Sequence, residues 1–185
     1  DGMVIKVCDF ATRQVLGQTE RFPRWAMAIK FEAEEAITTV QAVQWQVGRT
    51  GKLTPLALLE PVEICGATVK RATLNNVGDI QRKRVKIGGR VWIRRSNDVI
   101  PEIMGSVDDN GQEILPPEHC PFCGAKVVEK GAHLFCSNTV DCKPQLLAAL
   151  AHFASKGCMD IQGLNEKTLE AFMDQLGVRY PADLY

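Results

Sequence analysis

The segment CPFCGAKVVEKGAHLFCSNTVDC, residues 120–142, holds four of the seven cysteines of this 185-residue chain. Cys120 and Cys123 form one close pair, and Cys136 and Cys142 form a second pair after twelve intervening residues. Two close cysteine pairs at this distance are typical of a structural zinc site, in which four thiolates surround one ion. The sequence therefore predicts a zinc finger that binds one structural Zn²⁺ through these four side chains.

Two other uses of the cysteines stay open at this point. Disulfide bonds are rare in reducing compartments, and the chain shows no secretion signal. A thioredoxin-type redox site needs one cysteine pair in a βαβ context, whereas this segment offers two pairs. His119 could compete as a ligand, but adjacent side chains seldom reach one metal. We expect Cys8, Cys65 and Cys158, which occur singly in apolar patterns, to be small buried residues.

The residues before this segment show the short alternating patterns of β-strands. Alternation predicts strands at 1–8, at the end of 22–31, around 43–47, at 62–74 and at 84–94, with polar turn-forming sequence at Gly17–Glu20. Gly48–Gly51 predicts a turn, and Gly88-Gly89 predicts a two-residue hairpin inside the last strand. Several short strands within about 70 residues favour a small closed β-barrel of the five-stranded oligonucleotide-binding (OB) type.

Helical periodicity begins at Pro144, a residue well suited to the first turn of a helix. Apolar residues then recur at spacings of three and four, first from Leu146 to Ala154 and again from Leu169 to Leu176. Gly177 predicts the end of the second helix, and Ile161–Asn165 predicts a short hairpin between the two. The fold class is therefore multidomain and mainly β, then α.

The overall composition excludes little, because 22 lysines and arginines balance 22 aspartates and glutamates. No apolar run approaches the roughly 20 residues needed to cross a bilayer, so we expect no membrane contact and a reducing, cytoplasmic setting. The chain starts on a strand pattern without an initiating methionine. We interpret it as an internal piece of a longer protein.

Local charge is less balanced than the total. Between residues 70 and 95 one acidic residue, Asp79, accompanies nine basic side chains, namely Lys70, Arg71, Arg82, Lys83, Arg84, Lys86, Arg90, Arg94 and Arg95. Such a surplus favours binding to a phosphate backbone, although a solvated surface is the alternative.

Two loops are candidates for contact with nucleic acid. Arg49 could extend into a groove from the turn Gly48–Gly51 while Thr50 and backbone amides meet phosphate. Val99 and Ile100, before Pro101, could lean on sugar faces in a minor groove. For these two residues, a place at the end of a strand in the core is an equally good interpretation.

Taken in order along the chain, these segments resemble the bacterial NAD-dependent DNA ligases. The motifs are DGMVIKV (1–7), RWAMAIKF (24–31), QVGRTG (46–51), RATL (71–74), DVIP (98–101), the four-cysteine segment, and HF (152–153) followed by MDI (159–161). The resemblance divides the chain into the end of a nucleotidyltransferase (adenylation) domain at 1–33, an OB-fold domain at 34–113, a zinc finger at 114–144 and the start of a helix-hairpin-helix domain at 145–185.

The resemblance implies an enzyme that seals nicks in duplex DNA through a ligase-AMP and a DNA-adenylate intermediate, with NAD as the AMP donor and Mg²⁺ or Mn²⁺ as the metal. Asp1 would help to hold that metal, and Lys6 and Lys30 would contact the adenylate. The nucleophilic lysine belongs to a Lys-x-Asp-Gly motif that would precede Asp1, so the chain alone is expected not to adenylate itself.

The resemblance also implies the partner, which is nicked double-stranded DNA. Arg49, Thr50, Arg71, Arg95, Val99 and Ile100 would meet the duplex. The full-length enzyme is expected to be monomeric, cytoplasmic and associated with the nucleoid. Asn75, Ser96, Asn97 and Asn165 depart from the usual pattern. A non-catalytic nucleic-acid-binding module, with an OB barrel and a zinc ribbon, is the alternative function.

Overall fold

The computed structural model describes residues 2–30, 33–95 and 101–185. The strands are β1 (Gly2–Lys6), β2 (Ala26–Lys30), β3 (Glu34–Val47), β4 (Lys52–Ile64), β5 (Ala67–Thr73), β6 (Lys86–Ile87), β7 (Arg90–Arg95), β8 (Glu102–Ser106), β9 (Gln112–Glu113), β10 (Val127–Lys130) and β11 (His133–Cys136). The helices are α1 (Phe10–Leu16), α2 (Val77–Lys83), α3 (Lys143–Ala154) and α4 (Glu166–Leu176), and a short 3-10 helix spans Pro181–Leu184. None of the described helices is long and apolar enough to cross a membrane.

Strands β3, β4, β5, β7 and β8 form a closed five-stranded barrel, which confirms the predicted OB-type fold. Each strand pairs with two neighbours in the ring β3-β7-β8-β5-β4, and β4 closes it against β3. All pairs are antiparallel except β5 and β8, which meet in parallel at Thr73 and Glu102. Closure removes the free strand edges that an open sheet would expose.

The barrel is filled by the inward side chains of these strands together with Leu74, which follows β5, and two residues of the α2 region. The core consists of Val40, Ala57, Leu59, Ile64, Val69, Ala72, Leu74, Ile80, Val85, Val91, Ile93 and Ile103. Helix α2 begins at Asn76, whose side chain accepts from the amide of Asp79. Ile80 and Val85 belong to the same buried core.

A buried carboxylate anchors α2 to the barrel. Asp79, which is 4% exposed, pairs with Arg82 and Lys83 and accepts from Asn75, and Lys83 also pairs with Glu102 at the start of β8. Burial acts to raise the pKa of Asp79, but its bonds to Lys83 and Asn75 and the charge of Arg82 hold it below the usual value. Asn75 adopts a left-handed backbone, with φ of 58°, a conformation that asparagine tolerates.

Residues 2–30 contain a two-stranded ladder with a helix between its strands. Sequence reasoning found β1 and β2 but missed α1, which begins after Asp9, whose carboxylate accepts from the amide of Thr12 at 2.7 Å. The guanidinium of Arg13 lies 4.8 Å from the ring centroid of Phe10 and 4.4 Å from that of Trp25. The contact with Trp25 holds α1 against the residues before β2, whereas the contact with Phe10 lies within the helix.

Two strand predictions were wrong in their pairing or bounds. The segment 62–74 is divided at Cys65-Gly66, two residues with positive φ, and its first part belongs to the long strand β4. Gly88-Gly89 does not join a hairpin, because β6 pairs with β9 and β7 pairs with β3 and β8.

Cys8, Cys65 and Cys158 are exposed, not buried as expected.

The helical segment follows the predicted pattern. α3 and α4 pack through Leu150, Ala154 and Leu169, which are buried, and α4 ends at Gly177 with φ of 71°. Asn165 does not use a left-handed backbone. Its φ is −86°, and its side chain caps α4 by accepting from the amide of Thr168.

Replacement of one isoleucine on each side of the barrel wall tests the assignment of inward and outward faces. Ile93→Ala on β7 removes a side chain that is 0% exposed and should lower the free energy of unfolding by about 2–5 kcal/mol. Ile37→Ala on the neighbouring strand β3 is the control, since Ile37 is 49% exposed and should cost less than about 1 kcal/mol. Urea unfolding of the full chain measures both, and equal losses would contradict the assignment.

Candidate metal centre and nucleic-acid interface

The four predicted cysteines converge on one point. Their sulfur atoms all lie within 4.8 Å of one another, with 4.0 Å between Cys120 and Cys142 and 3.5 Å between Cys123 and Cys136. A tetrahedron with Zn–S distances of about 2.3 Å has edges of about 3.8 Å. The sulfurs therefore already have the spacing of zinc ligands and are well beyond the disulfide bond length of about 2.05 Å.

Backbone geometry builds the first half of this cluster. The amide of Gly124 donates to the carbonyl of Cys120 at 2.9 Å, and the amide of Cys120 donates to Ala125 at 2.8 Å. Gly124 has a φ of 70°, so the tight turn uses a conformation that favours glycine. This tight turn brings the backbone amide of Ala125 close to the sulfur of Cys123.

The second half of the cluster joins a hairpin strand to a helix. Cys136 ends β11, and Cys142 is the residue that precedes the first turn of α3, where its carbonyl accepts from the amides of Gln145 and Leu146. A helix N-terminus carries a partial positive charge, which stabilises a thiolate placed there. Both of these sulfurs, like that of Cys120, belong to buried residues.

The acid–base properties of the cluster favour a bound cation. Burial raises the pKa of the Cys136 thiol to about 12, and burial also raises the pKa of Cys142. Burial acts in the same direction at Cys123, but the amide of Ala125 and the neighbouring sulfurs bring its pKa below the usual value. A divalent cation would supply the charge that keeps all four sulfurs deprotonated. The donor set therefore fits Zn²⁺, and among the described residues no other cluster offers three or more possible metal ligands.

The finger is part of the same sheet as the barrel. β10 and β11 form a hairpin, and β11 pairs with β4 at Leu134–Leu53 and Phe135–Lys52. Val47 and Leu53 of the barrel pack against the buried cysteines in one apolar cluster. The metal centre is therefore attached to the end of the barrel beside the β3–β4 turn.

The β3–β4 turn presents the two predicted DNA-contacting residues to solvent. Arg49 and Thr50 are exposed between Gly48 and Gly51, and the amide of Gly51 donates to the carbonyl of Gly48 at 2.9 Å. Beside the turn lies the outer wall of the barrel. We use the name β3–β4–β5 wall for its outward residues Gln44, Gln46, Thr54, Leu56, Leu58, Arg71 and Thr73.

The β3–β4–β5 wall carries the predicted Arg71 and adds two glutamines that sequence reasoning did not select. Arg71 is exposed and lies opposite Leu58, and Gln44 and Gln46 are exposed on the neighbouring strand. The signal was present, because both glutamines alternate with the apolar residues Val43, Trp45 and Val47. Amide and guanidinium groups on one surface can donate to phosphate oxygens and to base edges.

More than half of the basic residues at 70–95 are paired with acids, of which Asp79 lies within the segment and the others lie elsewhere in the chain. Five of the nine basic residues form salt bridges within the described part of the chain: Arg82 and Lys83 with Asp79, Lys86 with Asp109, Arg90 with Asp108, and Arg94 with Glu35. Lys70, Arg71 and Arg84 are exposed. Arg95 is half-buried and donates to the carbonyl of Ile64 at 3.3 Å.

Only some of the predicted catalytic residues lie within the described part of the structure. Lys6 is exposed and pairs with Ala26, whereas Lys30 pairs with Gly2, so the two positions lie four residues apart along the same ladder. The side chain of Lys30 lies outside the described part of the structure. Asp1, Val99 and Ile100 lie outside the described residues, as do Ser96 and Asn97.

The fold and the cysteine cluster define a class of protein in which an OB barrel is joined to a four-cysteine metal centre and a helix pair. Two family models match the chain: the NAD-dependent DNA ligase adenylation domain over residues 1–34 and the NAD-dependent DNA ligase OB-fold domain over residues 37–113. The chain belongs to the NAD-dependent DNA ligase family.

Curated relatives extend the similarity over the whole chain. It is 60% identical to a DNA ligase of Alkaliphilus oremlandii, 57% identical to one of Alkaliphilus metalliredigens and 56% identical to one of Clostridium tetani, each over 100% of this chain. The chain spans 28% of the length of each of these relatives.

Replacement of single cysteines tests the metal centre. Cys123→Ser or Cys136→Ser should release zinc and unfold residues 116–144, because three remaining thiolates cannot hold the closed site. The barrel should stay folded, since its core is a separate cluster. Elemental analysis measures the metal, and circular dichroism with amide exchange measures the two folded units. Cys65→Ser, which changes an exposed cysteine outside the cluster, is the matched control. Normal zinc content in either of the first two variants would reject the four-thiolate assignment.

Proposed function

We propose that this chain is the DNA-binding portion of an NAD-dependent DNA ligase that seals nicks in duplex DNA. The observation that carries the proposal is the presence, in one chain, of an adenylation-domain match and an OB-fold domain match from the same family. A plain binding module has no reason to contain the adenylation segment. The boundaries proposed for the four parts remain 1–33, 34–113, 114–144 and 145–185.

Some of the proposed DNA contacts lie together at the β3–β4 turn and on the wall beside it. The exposed turn residues Arg49 and Thr50 adjoin the β3–β4–β5 wall, which carries Arg71. Arg95, Val99 and Ile100 complete the set proposed from the family resemblance. Arginine is suited to this surface because its planar guanidinium can donate two hydrogen bonds to one phosphate.

The zinc finger is proposed to be structural. Its four thiolates would hold one Zn²⁺, and no position would remain open for catalysis. Since β11 pairs with β4 and Cys142 precedes α3, zinc would fasten the barrel to the helical segment. A helix-hairpin-helix segment and a barrel fixed to one another can contact the same duplex together.

The adenylate chemistry is proposed for residues 1–33. Asp1 would help to hold Mg²⁺ or Mn²⁺, and Lys6 and Lys30 would contact the AMP derived from NAD, where fixed positive charges stabilise charge on the phosphate. The 185 residues contain no Lys-x-Asp-Gly motif. We therefore propose that this chain alone does not adenylate itself. We also propose that the complete enzyme is monomeric, cytoplasmic and associated with the nucleoid.

The arginine contacts are testable by salt dependence. Arg49→Ala and Arg95→Ala should each weaken binding to a nicked duplex and reduce the slope of log K against log salt by roughly one for each lost phosphate contact. Fluorescence anisotropy over a range of salt concentrations measures the slope. Arg90→Ala is the control, because Arg90 pairs with Asp108 and is not placed at the DNA surface. A slope that does not change in the first two variants would show that these arginines face elsewhere.

The two lysines separate the ligase from the alternative, a non-catalytic binding module. In a DNA ligase that carries this chain within its full length, Lys6→Ala and Lys30→Ala should abolish nick sealing and leave the affinity for nicked DNA nearly unchanged. Gel assays of sealing and anisotropy of binding measure the two effects. Equal loss of binding and sealing in both variants would favour the alternative.

A further inference from the structure

Gln145 is a buried polar side chain in the first turn of α3. It is 5% exposed, and its amide nitrogen donates to the carbonyl of Asn138 at 2.7 Å. Burial of an amide is unfavourable unless its polar atoms find partners, so a buried glutamine at this place needs an explanation. Glutamine is not among the ligand types expected for zinc.

The other side of Gln145 faces the β3–β4 turn. A Cβ atom built on Gly51 would lie 2.9 Å from Oε1 of Gln145 and 3.1 Å from the carbonyl oxygen of Cys136. Gly51 also has a φ of 79°, and it is buried. Only glycine fits this position, because the space and the backbone conformation both exclude a side chain.

The backbone of a predicted zinc ligand holds the same glycine. The amide of Cys136 donates to the carbonyl of Gly51 at 2.8 Å. Gly51 is therefore enclosed by the metal centre on one side and by Gln145 on another. At the opposite end of the turn Gly48 is exposed, and the nearest atom to an added Cβ would be the carbonyl oxygen of Lys52 at 3.8 Å. Neighbouring residues therefore enclose the turn at its Gly51 end but not at its Gly48 end.

We propose that Gln145 is a positioning residue, which together with the backbone of Cys136 fixes the turn Gly48–Gly51 so that Arg49 and Thr50 are already in place when DNA arrives. The inference rests on the proposed function, in which these two residues contact DNA. A contact made by ordered residues is tighter than the same contact made by a mobile loop, because less conformational entropy is lost on binding. The metal centre would thus contribute to DNA affinity without touching DNA.

The first test is independent of DNA. In the zinc-loaded chain, Gln145→Ala should speed amide hydrogen exchange at Gly51 and Gly48 by about tenfold, because their hydrogen bonds hold the turn closed. The zinc content should remain one ion per chain, and exchange in the barrel core should not change. Gln175→Ala is the matched control, since Gln175 is an exposed glutamine on α4. Unchanged exchange at Gly48 and Gly51 would overturn the proposal.

Two further variants guard against a loss of folding or of metal. Gln145→Met keeps most of the side-chain volume without its hydrogen bond to Asn138 and should give a smaller increase in exchange than Gln145→Ala. Gly51→Ala changes the same contact from the side of the barrel, because the added methyl group would collide with Gln145. This variant should disturb the turn and should still bind zinc. Loss of zinc in both Gln145 variants would overturn the assignment, since Gln145 would then support the metal site and not the turn.

The second test connects the turn to DNA through a double-mutant cycle. Gln145→Ala should weaken binding to a nicked duplex several-fold, and Arg49→Ala should cost less in the Gln145→Ala background than in the parent chain. If Arg49→Ala alone leaves the affinity unchanged, the proposed function fails. If Arg49→Ala weakens binding but Gln145→Ala has no effect, or the two effects add independently, the positioning role of Gln145 fails and the proposed function stands.

Discussion

Strand β4 is the element on which the rest of the structure depends, because it belongs to the barrel and to the finger at the same time. It pairs with β3 and β5 within the barrel and with β11 of the finger. Its inward side chains serve two cores: Ala57 and Leu59 fill the barrel, whereas Leu53 packs against the buried cysteines. The backbone hydrogen bonds of this one strand therefore join the cysteine cluster to the barrel wall.

This shared strand explains why the finger lies beside the turn that is proposed to contact DNA. The turn that precedes β4 carries Arg49 and Thr50, and the first paired residues of β4 meet β11 immediately after that turn. The four thiolates fix β11 and the start of α3 around one point. Attachment of a loop to a rigid scaffold keeps its side chains in one geometry, which is how proteins generally place functional loops.

Much of the fold could be predicted from the sequence, and the exceptions have identifiable causes. The cysteine spacing, Pro144 and Gly177 each specify local geometry, so the metal cluster and both long helices were recovered. Helix α1 was missed because it has only seven residues, so its N-cap residue Asp9 is not followed by a long periodic pattern. The length of β4 was missed because Pro55 and Pro61 interrupt a nearly continuous apolar run. Pro55 is tolerated at its place opposite Trp45, and Pro61 lies at an irregularity in the ladder between Leu58 and Val62.

The sequence by itself determined the family, the number of cysteines in the cluster and the position of Arg49 and Thr50 in a short turn, because these depend on residue types at short spacings. Only the tertiary structure decided which basic residues are paired with acids. Acids distant in sequence, among them Glu35 and Asp108, pair with arginines of the basic segment. The structure alone also showed that Gly51 is enclosed by Cys136 and Gln145. Both findings concern contacts between residues far apart along the chain, and such contacts exist only after the strands have closed into a barrel and the finger has joined its sheet.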